Sequence, residues 1–93
     1  MKNKIVVAGA GGFIGGFLTK KLISLGHHVR AVDIKPVNRW YQVSPGADNL
    51  VLDLRKKENC YEAVNDCDEV FNLAADMGGI GFIEGNKAQK QKS

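Results

Sequence analysis

The stretch that most limits what this chain can become is "KIVVAGAGGFIGGF", residues 4–17. Residues 4–8 are a short apolar run that stops at glycine, the pattern of a buried strand. Residues 13–25 place Ile14, Leu18, Leu22 and Leu25 at steps of three or four, with Phe13 and Phe17 alongside. That spacing predicts a helix, with Lys20 and Lys21 on its other side and Gly26 as its stop. Between strand and helix, Gly9, Gly12 and Gly15 form a G-x-x-G-x-x-G pattern, with Gly11 also present. Each glycine has a physical reason. Gly9 suits the tight turn off the strand. Gly11 and Gly12 let the backbone approach a pyrophosphate with no Cβ in the way. Gly15 lets the helix lie close to the strand. The helix N-terminus then offers free N–H groups and a partial positive charge to phosphates. The pattern predicts a dinucleotide site, and its context of strand, turn and helix is the one required. No G-K-[ST] follows the glycines, which excludes a nucleoside-triphosphate P-loop.

The rest of the chain continues the alternation. Residues 29–33 read as a second strand. Residues 34–49 hold Pro36, Pro45 and Gly46 and form a long connection with room for one short helical turn. Residues 50–52 read as a third strand. Residues 56–65 suit a helix with Cys60, Ala63 and Val64 facing inward, and residues 69–74 read as a fourth strand. Strands alternating with helices predict an α/β fold with a parallel sheet and right-handed crossovers. The expected architecture is half of a doubly wound Rossmann fold, with about four strands and flanking helices. It occupies residues 1–86, and residues 87–93 form a basic polar tail.

Two aspartates follow strands. Asp33 stands 18 residues after Gly15, at the end of the second strand. A carboxylate there can accept hydrogen bonds from both adenosine ribose hydroxyls and repels a 2′-phosphate, so NAD is favoured over NADP. Lys35 and Arg39 nearby weaken that preference, since either can meet a phosphate. Asp53, in "DLR", follows the third strand. It suits the adenine amino group, and it equally suits a cap for the helix starting near Lys56. The sequence leaves both open.

With 93 residues the chain is one small, modestly stable domain. It has no apolar run of membrane-spanning length, and its first seven residues lack the apolar length of a signal peptide. A cytoplasmic protein is expected. The net charge of +3 comes from the tail. Up to Asn86, ten Lys/Arg balance ten Asp/Glu, and Lys87, Lys90 and Lys92 supply the excess. Three lysines in a polar terminus suit a solvated end better than a nucleic-acid contact. Cys60 and Cys67, seven apart, are neither a C-x-x-C pair nor a zinc cluster, and reduced structural thiols are expected. His27 and His28 are adjacent and are expected in a loop, not jointly on a metal. No metal, nucleic acid or membrane partner is expected.

The motifs "AGAGGFIG", Asp33, "DLR" and "FNLAA" together resemble the extended short-chain dehydrogenases/reductases, the NAD-dependent epimerases and dehydratases. The stretch "NLAADMGGIGFIEGN" is similar to the corresponding loop of GDP-mannose 3,5-epimerases, and "RWYQ" at residues 39–42 fits the same group. The resemblance covers residues 4–86. It implies NAD as cofactor and a transient oxidation of sugar C4, which acidifies the protons at C3 and C5. Inversion at those carbons and reduction of the ketone then follow. It implies that Gly9, Gly12 and Gly15 hold the pyrophosphate, with Gly11, Phe13 and Ile14 also at the cofactor. Asp33 would hold the ribose and Asp53 the adenine, with Leu54 also at the cofactor. Leu73, Ala74 and Ala75 would line the cofactor. Gly78 and Gly79 would lie beside the hexose of a GDP-sugar in the complete enzyme.

The resemblance also shows what is missing. The family's Tyr-x-x-x-Lys pair is absent, because Tyr41 is followed four residues later by Pro45 and Tyr61 by Asn65. Cys60 and Cys67 both precede the "NLAA" strand, so neither matches the family's catalytic cysteine. No catalytic residue is expected in this chain. Beyond Asn86 the family pattern gives way to lysines, which reads as a chain cut short. A half-domain of this kind is expected to expose apolar surface and strand edges, and so to self-associate or need a complementing chain. A stand-alone NAD-binding module, and the front part of another NAD-dependent sugar epimerase or dehydratase, are the alternatives.

Overall fold

The computed structural model describes residues 3–74. The first strand, β1 (Lys4–Ala8), is the centre of the molecule. Ile5, Val6, Val7 and Ala8 are all at most 2% exposed, which requires cover on both faces. A strand buried on both faces needs an unbroken apolar run, and this one has it. β1 pairs in parallel with β2 (His28–Asp33) on one side and β4 (Glu69–Asn72) on the other. β3 (Asp48–Val51) pairs in parallel with β2, giving the order β3-β2-β1-β4. The expected parallel four-stranded sheet is present.

Helix α1 (Phe13–Ser24) covers one face of the sheet and α2 (Lys57–Val64) the other. Alternation along β1 sorts the core accordingly. Ile5 and Val7 join Val29, Ala31, Leu22 and Trp40 on the α1 side. Val6 and Ala8 join Val32, Leu54, Cys60 and Ala63 on the α2 side. α1 ends as expected. Gly26 has φ +94°, its N–H reaches the Ile23 carbonyl at 2.9 Å, and the His27 N–H reaches Leu22 at 3.2 Å. This left-handed turn satisfies carbonyls that the helix leaves open.

The buried face of α1 differs from the apolar stripe read in the sequence. Gly15, Gly16, Thr19 and Leu22 are buried, whereas Phe13, Ile14, Phe17 and Leu25 are more than half exposed. The two glycines are the reason. Without a Cβ they bring the helix backbone onto its neighbours, and the helix turns its smallest residues inward.

Smaller shifts occur elsewhere. The connection after β2 carries one 3-10 turn, Val37–Arg39. β3 begins earlier than its apolar residues suggest, because Asp48 and Asn49 pair with Arg30 and Ala31. β4 stops at Asn72, so Leu73 and Ala74 leave the ladder after one last bond from Leu73 N–H to the Ala8 carbonyl at 2.8 Å. Cys60 and Cys67 are not joined in a disulfide; Cys60 is buried with its Sγ 2.9 Å from the Leu54 carbonyl, and burial raises the pKa of Cys67. His28 opens β2 rather than lying in a loop. No helix among the described residues is long and apolar enough to cross a membrane.

Candidate functional site

The strand order reverses direction between β1 and β4: β2 and β3 follow on one side of β1, while β4 lies on the other. In an open parallel sheet this is where a crevice opens at the carboxyl ends of the strands. The glycine turn stands there. Gly9 leaves β1 with φ +88°, and a Cβ on it would come within 2.8 Å of the Leu73 backbone and 2.9 Å of the Ala74 nitrogen. The turn off β1 and the exit from β4 thus touch, and only glycine fits between them. Gly15 packs the helix back on the same turn, since its Cβ would overlap the Gly9 carbonyl oxygen and lie 2.8 Å from Ala10 Cα. The roles expected of Gly9 and Gly15 are both visible.

Gly12 and Gly11 part company. Around Gly12 the nearest obstacle to a Cβ is the Gly9 oxygen at 3.5 Å, so this position is open to a ligand. Gly12 is also the N-cap of α1. No side chain caps the helix, and its first turn carries no acidic residue. The first-turn amides and the positive end of the helix dipole are therefore left for an external anion. Phe13 and Ile14 stand beside them, exposed. Phe13 also makes edge-on contacts with Phe17 at 5.1 Å and Tyr41 at 5.2 Å, an aromatic row flanking the helix start. Gly11, by contrast, is buried. A Cβ there would meet Trp40 Cδ1 at 2.8 Å and Asp33 Oδ2 at 2.9 Å. Gly11 makes room for protein, not for a pyrophosphate, and that part of the expectation is corrected.

Asp33 ends β2 on the α1 side and is 8% exposed. Its Oδ2 accepts the Gly11 N–H at 2.8 Å and its Oδ1 accepts the Lys35 N–H at 3.0 Å. A carboxylate has about four acceptor positions, so two remain after these bonds. Two is the number a ribose diol needs. The residues present therefore fit a dinucleotide: an open glycine, an uncapped helix start, and a fixed carboxylate with acceptors to spare.

Asp53 does not cap α2, and both its oxygens are engaged locally. Its two oxygens fork onto Arg55, with Oδ1 to Nε at 2.9 Å and Oδ2 to the terminal nitrogen at 3.0 Å, and Oδ1 also accepts the Arg55 N–H at 3.0 Å. Side-chain and backbone hydrogen bonds from Arg55 lower its pKa to about 2. Lys56 is the N-cap of α2 and no side chain caps the helix; it is the Asp53 carbonyl that accepts bonds there, from Lys56 N–H and Asn59 Nδ2. The capping reading is thus overturned, and adenine would have to share the carboxylate with Arg55. The Leu54 side chain is 1% exposed and sealed among Val6, Ala8, Val32, Cys60 and Ala63, which leaves its backbone as the part that can face a cofactor. Ala75, Gly78, Gly79 and the tail lie outside the described residues.

Sequence reasoning marked residues 39–42 by resemblance but gave Trp40 no role at the site. Trp40 is 8% exposed, its Nε1 donates to the Lys35 carbonyl at 2.8 Å, and the next residue's N–H, Tyr41, donates to the Gly11 carbonyl at 2.9 Å. The chain's one tryptophan, in the connection after β2, was the available signal.

Comparison with known proteins agrees with this geometry. The family model described as NAD dependent epimerase/dehydratase family matches residues 5–88. The chain is 44% identical over 85 residues to GDP-mannose 3,5-epimerase 1 of Oryza sativa subsp. indica, covering 91% of this chain and 22% of the relative. It is 43% identical over 83 residues to the GDP-mannose 3,5-epimerase of Arabidopsis thaliana, covering 89% of this chain and 22% of that protein. Among solved structures, MoeE5 in complex with UDP-glucuronic acid and NAD superposes with a TM-score of 0.62 at 30% identity, covering 75% of this chain and 22% of that one. The chain spans about a fifth of the length of these relatives. By its glycine turn, its strand order and these matches, the chain belongs to the NAD dependent epimerase/dehydratase family.

Proposed function

We propose that this chain is the NAD-binding portion of a nucleotide-sugar epimerase of the GDP-mannose 3,5-epimerase type. The observation that carries the reading is the placement of an uncapped helix start and Gly12 at the point where the strand order reverses, with Asp33 beside them. The likeness to the plant epimerases supports the sugar-nucleotide part.

In such an enzyme NAD supplies reversible hydride acceptance at sugar C4, which acidifies the neighbouring C3 and C5 protons. The residues of this chain bind and orient. The α1 amides and dipole neutralise pyrophosphate charge, and Gly12 lets it come close. Asp33 offers its two remaining acceptor positions to the ribose diol and repels a 2′-phosphate. The proton-handling pair Tyr-x-x-x-Lys is not in this sequence, so by this reading the chain binds and does not turn over sugar nucleotide alone. Gly78 and Gly79 would meet the hexose only in a complete enzyme, with a complementing chain. A stand-alone NAD-binding module is the alternative reading.

Calorimetric titration with NAD and then NADP tests the first step. NAD binding that is lost in Asp33→Ala supports the proposal, and no binding by a folded chain overturns it. Mixing the chain with the remaining portion of a full-length relative separates the two readings. Recovered epimerisation of GDP-mannose excludes the module, and its absence with NAD binding intact favours it.

A further inference from the structure

The segment after β2 closes a ring of hydrogen bonds on the glycine turn. Gly11 N–H donates to Asp33 Oδ2 at 2.8 Å, and Lys35 N–H donates to Asp33 Oδ1 at 3.0 Å. Trp40 Nε1 donates to the Lys35 carbonyl at 2.8 Å, and Tyr41 N–H returns to the Gly11 carbonyl at 2.9 Å. Inside this ring the Trp40 edge lies against the Cα of Gly11, where a Cβ would be only 2.8 Å from Cδ1. Trp40 itself is anchored in the α1-side core with Ile5, Val7 and Leu22.

An aspartate at a strand end ordinarily rotates about two side-chain torsions. Here both oxygens are held, one by the glycine turn and one by the segment that Trp40 pins down. The orientation of the two free acceptor positions therefore depends on Trp40, which need not touch a ligand to set it. A carboxylate held in this way recognises a diol by geometry as well as by charge.

We propose that Trp40 is a positioning residue for cofactor choice: by clamping Gly11 and Lys35 it fixes the Asp33 carboxylate for the ribose diol of NAD. The proposal rests on the dinucleotide reading above. It gives the strap from Lys35 to Tyr41 a role in selectivity rather than in packing alone. Loosening the clamp frees the carboxylate to turn away. Its bonds to the diol weaken and its repulsion of a 2′-phosphate relaxes, with Lys35 and Arg39 close by in sequence to receive that phosphate.

The test compares the unaltered chain with Trp40→Leu and Trp40→Phe. Each is titrated calorimetrically with NAD and with NADP, after a cooperative thermal transition has shown it folded. The expected result is a preference for NAD in the unaltered chain and a roughly tenfold fall in NAD affinity in Trp40→Leu, the worth of one charge-assisted hydrogen bond. NADP affinity stays level or rises, so the selectivity ratio collapses. Trp40→Phe keeps a ring against Gly11 but loses the bond to Lys35, and should fall between. If Trp40→Leu does not fold, Trp40→Phe carries the test alone through its ratio. Trp40 is the chain's one tryptophan, so its emission in the unaltered chain should shift on adding NAD. An equal loss for both cofactors, or an unchanged ratio, overturns this inference and leaves the dinucleotide reading standing. Failure of the unaltered chain to bind either cofactor overturns both.

Discussion

Arg30, on β2, donates to the carbonyl of Ala63 in the last turn of α2 at 2.9 Å, across 33 residues of sequence. The same nitrogen reaches the Asn65 carbonyl at 3.0 Å and the Glu62 carbonyl at 3.4 Å. α2 has no basic residue in its own last turn, so the strand supplies the positive charge that a helix C-terminus favours. The companion ion pair with Asp48 is long, at 3.4 Å, and its acid is 62% exposed, so little stability is assigned to it. Replacing Arg30 by Ala should therefore lower unfolding free energy by about 1.5–3 kcal/mol, mostly through the lost carbonyl bonds. Arg30→Lys should restore only part, because one ammonium nitrogen cannot keep both the Asp48 contact of Nε and the carbonyl bonds of the terminal nitrogen. Urea unfolding of the three chains decides it, and unchanged stability in Arg30→Ala would remove the helix-capping role.

Gly15 and Gly16 are neighbours in α1 with opposite expectations. At Gly15 an added methyl meets backbone, the Gly9 oxygen and Ala10 Cα, which cannot yield without moving the turn. At Gly16 it meets the Gln42 side chain, at 2.8 Å from Cγ, which can swing aside. Gly15→Ala should cost about 1–3 kcal/mol as overpacking. Gly16→Ala should be near neutral, since the strain is offset by roughly 1 kcal/mol of helix propensity. Thermal denaturation reads the difference. Gly15→Ala should also weaken NAD binding more than Gly16→Ala does.

Asp53 should titrate at about 2, below its ordinary value of 3.8, because Arg55 bonds favour the carboxylate. A depressed pKa gives stability that is present above the ordinary aspartate range and is lost as pH falls toward the folded value. The loss thus belongs to strongly acid solution, not to neutral pH. Carboxyl-carbon NMR titration checks the midpoint, and Arg55→Gln should return it toward 3.8.

Among the described residues β4 pairs with β1 alone, and Phe71 on it is 38% exposed. A parallel strand with a free edge invites another strand. Self-association that grows with protein concentration is expected in sedimentation velocity, and Phe71→Lys should reduce it. A monomer at every concentration, with a sharp unfolding transition, would contradict this.

The parts of the site that were legible in the sequence are those enforced by backbone. Gly9 and Gly15 could be read because a turn and a close approach each exclude a Cβ, whatever lies nearby. β1 was legible because burial on both faces demands an unbroken apolar run. The contact face of α1 was not. Apolar periodicity weighs large side chains, and this helix packs through glycine and Thr19. Gly11 was misassigned for a related reason: its neighbours, Trp40 and Asp33, are more than twenty residues away, and no local pattern shows them converging. At Asp53 the competitor was local, as Arg55 two residues on took the carboxylate. Leu54 was named by resemblance alone, and no local pattern shows that its side chain turns into the core.

All four strands run the same way. The molecule therefore has an arrival rim, at Lys4, His28, Asp48 and Glu69, and a departure rim, at Ala8, Asp33, Val51 and Asn72. Everything assigned to the cofactor lies on departures. An attachment made on the arrival rim, for example at exposed His28, is separated from Asp33 by the length of a strand, roughly 16 Å. A dye or tether can be fixed there to watch binding without standing in its way.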